Sequence, residues 1–75
     1  MIQRNCLRML RKKMGFSMQE LGAKAGVSPA TINTVERYSH FPGDDTRSRI
    51  AKALGVAEVF IWPSLLEENG DGERN

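Results

Sequence analysis

Residues 16–37 read FSMQELGAKAGVSPATINTVER, and two helix starts lie within them. Ser17 is followed three residues later by Glu20. In this capping box the hydroxyl takes a backbone N–H of the first turn and the carboxylate returns to the N–H of the cap. Phe16 before the cap and Leu21 beyond it are spaced to pack across the helix entry. Ser28, with Pro29 at the first helical position, repeats the start signal. Val27 and Ile32 repeat the apolar pair. The predicted helices span about 18–25 and about 29–37, and only Gly26-Val27-Ser28 joins them. A glycine-containing turn this short makes two short helices cross steeply. Leu21, Ala25, Val27, Ile32 and Val35 are apolar, and Gly22 is small where the helices must cross. The spacing describes a helix-turn-helix, although another compact helical hairpin would share part of it.

The second of these helices has an unusually plain outer face. At 100° per residue Ile32 and Val35 fall on one side. Ala30, Asn33, Thr34 and Arg37 fall on the other: a methyl, an amide, a hydroxyl and one guanidinium, with no acid among them.

The flanking segments also read as helices. In IQRNCLRMLRKKMG, Ile2, Cys6, Leu7, Leu10 and Met14 recur at helical steps, basic residues fill most of the rest, and Gly15 closes the segment. DDTRSRIAKALG opens with acids, which the helix dipole favours, and ends at Gly55. Ile50 and Leu54 are its core positions. VAEVFIWP is a short fifth helix stopped by Pro63, and SLLEE can add one more turn. Pro42 and Gly43 break the loop before the fourth helix. No segment alternates as a strand does, so the expected class is all-α with five helices.

With 75 residues, the chain is expected to form one domain. Its folded part is placed at residues 1–66, with 67–75 an acidic disordered tail. Residues 1–66 hold ten Lys or Arg against five Asp or Glu, while EENGDGERN holds one Arg against four acids. A basic folded part favours polyanionic partners. The lone Cys6 cannot form an internal disulfide and reads as a small buried hydrophobe. Cys6 and His40, each the only one of its kind, cannot assemble the usual four-ligand zinc site. No metal and no cofactor are expected. No apolar run has the length of a signal peptide or a membrane span, so the expected setting is cytoplasmic, away from membranes.

Taken together, FSMQELGAKAGVSPATINTVERY, the following proline and RIAKALGV resemble the lambda-repressor/Cro-type, or XRE, helix-turn-helix family over roughly residues 3–62. The resemblance implies five helices, with the second and third forming the helix-turn-helix and the third entering the DNA major groove. Arg11 and Glu36 match a family arginine and glutamate, which implies an ion pair between the first and third helices. Two short matches, SPAT and IWPS, resemble the Ner-type regulators of phages. There are departures as well. Met18 stands where the family has a phosphate-contacting glutamine, Tyr38 where it has glycine, and Asp44 and Arg47 where it has leucines.

On that resemblance the plain face becomes a base-reading set of Pro29, Ala30, Asn33, Thr34 and Arg37. Asn33 can bond adenine in a bidentate manner, the methyls of Ala30 and Thr34 can meet a thymine methyl, and Arg37 can reach guanine or a phosphate. Candidate phosphate contacts are Ser17, Gln19, Lys24, Ser39 and His40. Phe60, Trp62, Leu65 and Leu66 are candidates for the interface of a homodimer on an inverted-repeat operator. The expected function is that of a sequence-specific double-stranded DNA-binding regulator of transcription, a repressor, of phage or mobile-element origin. The competing class is a protein-interaction module, either an antitoxin-like regulator that masks a toxin or an adaptor; Met18 and Tyr38 keep the adaptor open. An enzyme is not expected, because the chain has no nucleophile–base pair, metal set or glycine-rich phosphate loop.

Overall fold

A computed structural model describes residues 5–38 and 41–66. The elements are α1 (Leu7–Met14), α2 (Met18–Ala25), α3 (Pro29–Tyr38), α4 (Asp44–Leu54) and α5 (Glu58–Ile61), with one further helical turn over 64–66. No strand occurs among the described residues, and the class is all-α. The acidic tail expected over 67–75 lies outside the described residues.

The helix-turn-helix is set by local chemistry. Ser17 Oγ accepts the Glu20 N–H at 3.0 Å while Glu20 Oε1 accepts the Ser17 N–H at 2.8 Å, so the capping box is complete. Ser28 Oγ accepts the Thr31 N–H at 3.1 Å and starts α3. Gly26 ends α2 at φ 76°, a left-handed conformation that costs a glycine nothing. Gly22 is needed for a different reason. A Cβ there would lie 2.7 Å from the Val27 carbonyl oxygen and 3.3 Å from the Pro29 nitrogen, so only a bare backbone lets the turn approach α2 this closely.

Leu7, Leu21, Ala25, Ile32, Val35, Ile50, Ala51, Leu54, Ile61 and Trp62 form the buried core. α2 packs on both α3 and α4, so α3 lies at one side of the bundle with its outer face uncovered.

The structure corrects several expectations at the ends of the chain. α1 begins at Leu7, so Asn5 and Cys6 are outside it, and Ile2 lies outside the described residues. Asn5, only 1% exposed, explains the later start. Its Oδ1 accepts the Leu7 N–H at 3.0 Å, and its Nδ2 donates to the Val35 carbonyl at 3.0 Å. Cys6 is half-buried, and its N–H donates to the Ile61 carbonyl at 2.7 Å, tying the entry of α1 to α5. Met14 is exposed rather than inward. The helix stops there, and Phe16 packs against the core after Gly15 reverses the chain. Trp62, a candidate for the dimer interface, is 1% exposed and belongs to the core. Its ring meets Phe41 edge to face at 6.3 Å between centroids.

Asp44 and Arg47, the two departures from the pattern that the resemblance implies for α4, enter a polar network. Arg47 Nε donates to Glu58 Oε1 at 3.0 Å, Nη1 donates to the Pro42 carbonyl at 2.9 Å, and Nη2 pairs with Asp44. The guanidinium also stacks 4.6 Å above the Phe41 ring centroid. The hydrogen bond to Glu58 is the main cause that raises the Arg47 pKa above its ordinary value. One polar side chain thus ties the α3–α4 loop, α4 and α5 together.

Gly22→Ala is expected to destabilise the fold by about 1–3 kcal/mol, because backbone atoms of the turn must move to admit the methyl. Urea denaturation followed by circular dichroism measures this, and an unchanged midpoint would show that the turn relaxes freely.

Candidate nucleic-acid interface

The burial of Ile32 and Val35 orients α3 and leaves Pro29, Ala30, Thr34 and Arg37 exposed on its far side. Asn33 is half-buried and sits at the edge of this face, in the wall of a cleft between α1 and α3. Thr31 is also half-buried, and its hydroxyl is hydrogen-bonded to Ser28 Oγ at 3.0 Å, so it serves the helix start. Tyr38 takes the last helical position of α3 and is exposed.

The cleft has a volume of about 350 Å³. Its floor is the pair Arg11–Glu36, with side chains 8% and 3% exposed. Arg11 Nε donates to Glu36 Oε2 at 2.6 Å and Nη2 to Glu36 Oε1 at 3.1 Å, a bidentate bond. Nη1 donates to the Phe16 carbonyl at 2.8 Å. The hydrogen bond to Glu36 outweighs desolvation and raises the Arg11 pKa above its ordinary value. A raised cation contributes stability below its ordinary pKa and loses it only above the raised one, so the guanidinium side of the pair is insensitive to neutral or acidic pH. Because Glu36 is neutralised in place, α3 presents no free acid to the cleft.

Of the candidate phosphate contacts, Ser17 and Gln19 are exposed at the start of α2, where unpaired backbone N–H groups favour anions. Ser17 Oγ already serves as an acceptor in the cap. Lys24 is exposed, but its ammonium lies 5.9 Å from the Phe16 ring centroid. It lines a separate groove with Arg49 and Lys52 between α2 and α4, not the cleft beside α3. Ser39 and His40 lie outside the described residues. Met18 is half-buried and forms an apolar wall of the α3 cleft.

Sequence reasoning missed two residues, Arg8 and Lys12. Both are exposed, both lie on α1, and both line the cleft with Arg37. Their four-residue spacing puts them on one side of a helix. The signal was legible only jointly with the Arg11–Glu36 contact, which brings that side of α1 to α3. Phe60 and Leu66 are 64% and 65% exposed, and Leu65 is half-buried. Among the described residues no cluster of His, Cys, Asp and Glu is arranged to hold a metal ion, and no helix is long and apolar enough to cross a membrane.

Residues 7–61, from the first residue of α1 to the last of α5, match the sequence model of the helix-turn-helix family. The chain belongs to the Cro/XRE-type helix-turn-helix family. It is also similar to a protein of Methanothermobacter thermautotrophicus described as an uncharacterized HTH-type transcriptional regulator. The two are 34% identical over 70 residues, which cover 89% of this chain and 96% of that protein. Within the family fold, α2 and α3 are the helix-turn-helix proper, and the plain face of α3 is the outward face of its second helix.

Arg11→Met strands the nearly buried Glu36 carboxylate, and a loss of about 3–5 kcal/mol is expected. Arg11→Met combined with Glu36→Leu should recover most of that loss, since no buried charge is then unpaired. Thermal melts of the two variants test this. Equal destabilisation in both would mean that the pair contributes shape rather than charge compensation.

Proposed function

We propose that this helix-turn-helix protein, a DNA-binding regulator of transcription, is a repressor that reads duplex DNA through the major groove with α3. The observation that carries this reading is the uncovered face of α3: Ala30, Thr34 and Arg37 are exposed, and the one acid of its last turns, Glu36, is bound by Arg11. Short side chains let the helix approach base edges closely, and the free cations beside it offset phosphate repulsion. Asn33, at the edge of the same face, suits an adenine. Family membership also makes a non-enzymatic role the coarse reading of the chain.

One such domain covers one half-site. A twofold dimer would read an inverted repeat with half-site centres about 34 Å apart. Phe60 and Leu66, apolar and exposed, with the half-buried Leu65 between core and surface, are the proposed contact between copies. Duplex DNA as the partner carries a cytoplasmic setting with it. The short matches SPAT and IWPS support an origin in a phage or another mobile element.

Selection from a random duplex pool, sequenced at two salt concentrations, tests the reading. An enriched inverted repeat with steep salt dependence is expected. No enrichment and a flat salt response would instead make the fold a protein-interaction module, with a toxin or other protein as its ligand. On the selected operator, Asn33→Ala should cost about 1–3 kcal/mol at one base position and relax specificity there. Equal loss on all duplexes would remove Asn33 from the base-reading set. Phe60→Glu should leave the melting temperature nearly unchanged while converting cooperative binding of the full repeat to independent half-site binding, as sedimentation and gel shifts would register.

A further inference from the structure

The cleft between α1 and α3 has an unbalanced rim. Arg8, Lys12 and Arg37 are exposed around it, and none of them has a carboxylate partner among the described residues. The basic residues of α4 are placed differently: the half-buried Arg47 is held by Glu58 and Asp44, Arg49 is paired with Asp45 at 2.8 Å, and Lys52 is exposed but lines the separate groove between α2 and α4. At the floor of the cleft, Arg11 and Glu36 cancel each other. Among the described residues, the cleft therefore holds three positive charges with no carboxylate partner in a concavity, an arrangement that concentrates anions more strongly than a convex surface of equal charge.

The start of α2 has the opposite character. Met18 is a half-buried apolar wall of this same cleft. The α2 side chain at that point offers no hydrogen-bond donor. Arg8 and Lys12 of α1 line the cleft opposite it.

We propose that this cleft is a phosphate-backbone clamp, in which Arg8 and Lys12 of α1 and Arg37 of α3 grip the sugar–phosphate strand bordering the major groove. The clamp rests on the duplex reading above and deepens it. A helix seated in a groove about 12 Å wide has phosphates along both flanks, and the cleft is one flank of α3. An acidic peptide would also suit the charge. The DNA strand is favoured because Asn33 and Arg37 belong at once to the cleft and to the α3 face, so one ligand must touch both. In this arrangement Arg37 is a backbone contact and not a base reader. Base reading then falls to Pro29, Ala30, Asn33 and Thr34.

The test uses the full chain and two duplexes, the selected operator and a scrambled duplex of equal length, titrated from about 50 to about 200 mM salt. Arg8→Ala, Lys12→Ala and Arg37→Ala are compared with Lys52→Ala, an exposed α4 residue outside the cleft. Each cleft variant should weaken both duplexes by the same factor, roughly fivefold. Each should also reduce the magnitude of the log K against log salt slope by about 1. Lys52→Ala should leave the slope as in the unaltered chain. Unchanged slopes for Arg8→Ala and Lys12→Ala, with the unaltered chain still binding, overturn the clamp and leave the regulator reading intact. An equal loss for Lys52→Ala reduces the effect to overall charge and also overturns it. A loss for Arg37→Ala confined to one base position returns Arg37 to base reading and breaks the three-residue clamp. If the unaltered chain binds neither duplex with any salt dependence, the clamp and the regulator reading fall together.

Discussion

α1 has eight residues and α3 ten, and neither is long enough to be stable as an isolated helix in water. Their mutual position depends on Arg11. Its guanidinium holds Glu36 through two parallel bonds and the Phe16 carbonyl through a third, joining α1, the α1–α2 turn and α3 at one point. Asn5 repeats the link one layer away by donating to the Val35 carbonyl. Polar groups this deeply placed are costly unless every one is satisfied, and here the geometry satisfies them. The same bond that fixes α3 also removes its one acid from the electrostatic field of the outer face.

Arg47 has a comparable role on the other side of the bundle. A small helical domain with the charged residues Asp44 and Arg47 in the first turn of α4 has less apolar side chain there to bury. Here the long side chain of Arg47 covers the Phe41 ring, and its head reaches Pro42, Asp44 and Glu58. Phe41 in turn meets the buried Trp62. Apolar packing is thus replaced by a charged clamp over aromatic rings, which holds the α3–α4 loop and α5 to α4.

The distribution of charge follows from these two clamps. Among the described residues, acids at the surface are drawn into local pairs, Asp45 with Arg49 and Asp44 and Glu58 with Arg47, or into the α2 cap with Glu20. The cations without a carboxylate partner among the described residues include Arg8, Lys12 and Arg37 beside α3, and Lys24 and Lys52 in the groove between α2 and α4. A basic domain with its acids tied down near its own cations suits a polyanion along one flank, and salt would screen that attraction strongly.

Much of this was legible from residue order, because capping and periodicity are local. Ser17 with Glu20, Ser28 before Pro29, and the glycines at 15, 26 and 55 mark helix ends within one turn of the residues that cause them. The apolar spacing of Leu21, Ala25, Ile32, Val35, Ile50 and Leu54 marks their inner faces, and all six are buried. Other features depended on contacts between residues far apart in the chain. Asn5 delays α1 because Val35, thirty positions away, supplies an acceptor. Trp62 is inward because Phe41 and the core close over it, whereas Phe60 two positions earlier is not. Arg8 and Lys12 look like two members of an ordinary basic stripe until α1 is set against α3. Periodicity assigns a residue to a face of its own helix, but only packing decides which neighbour, if any, that face meets.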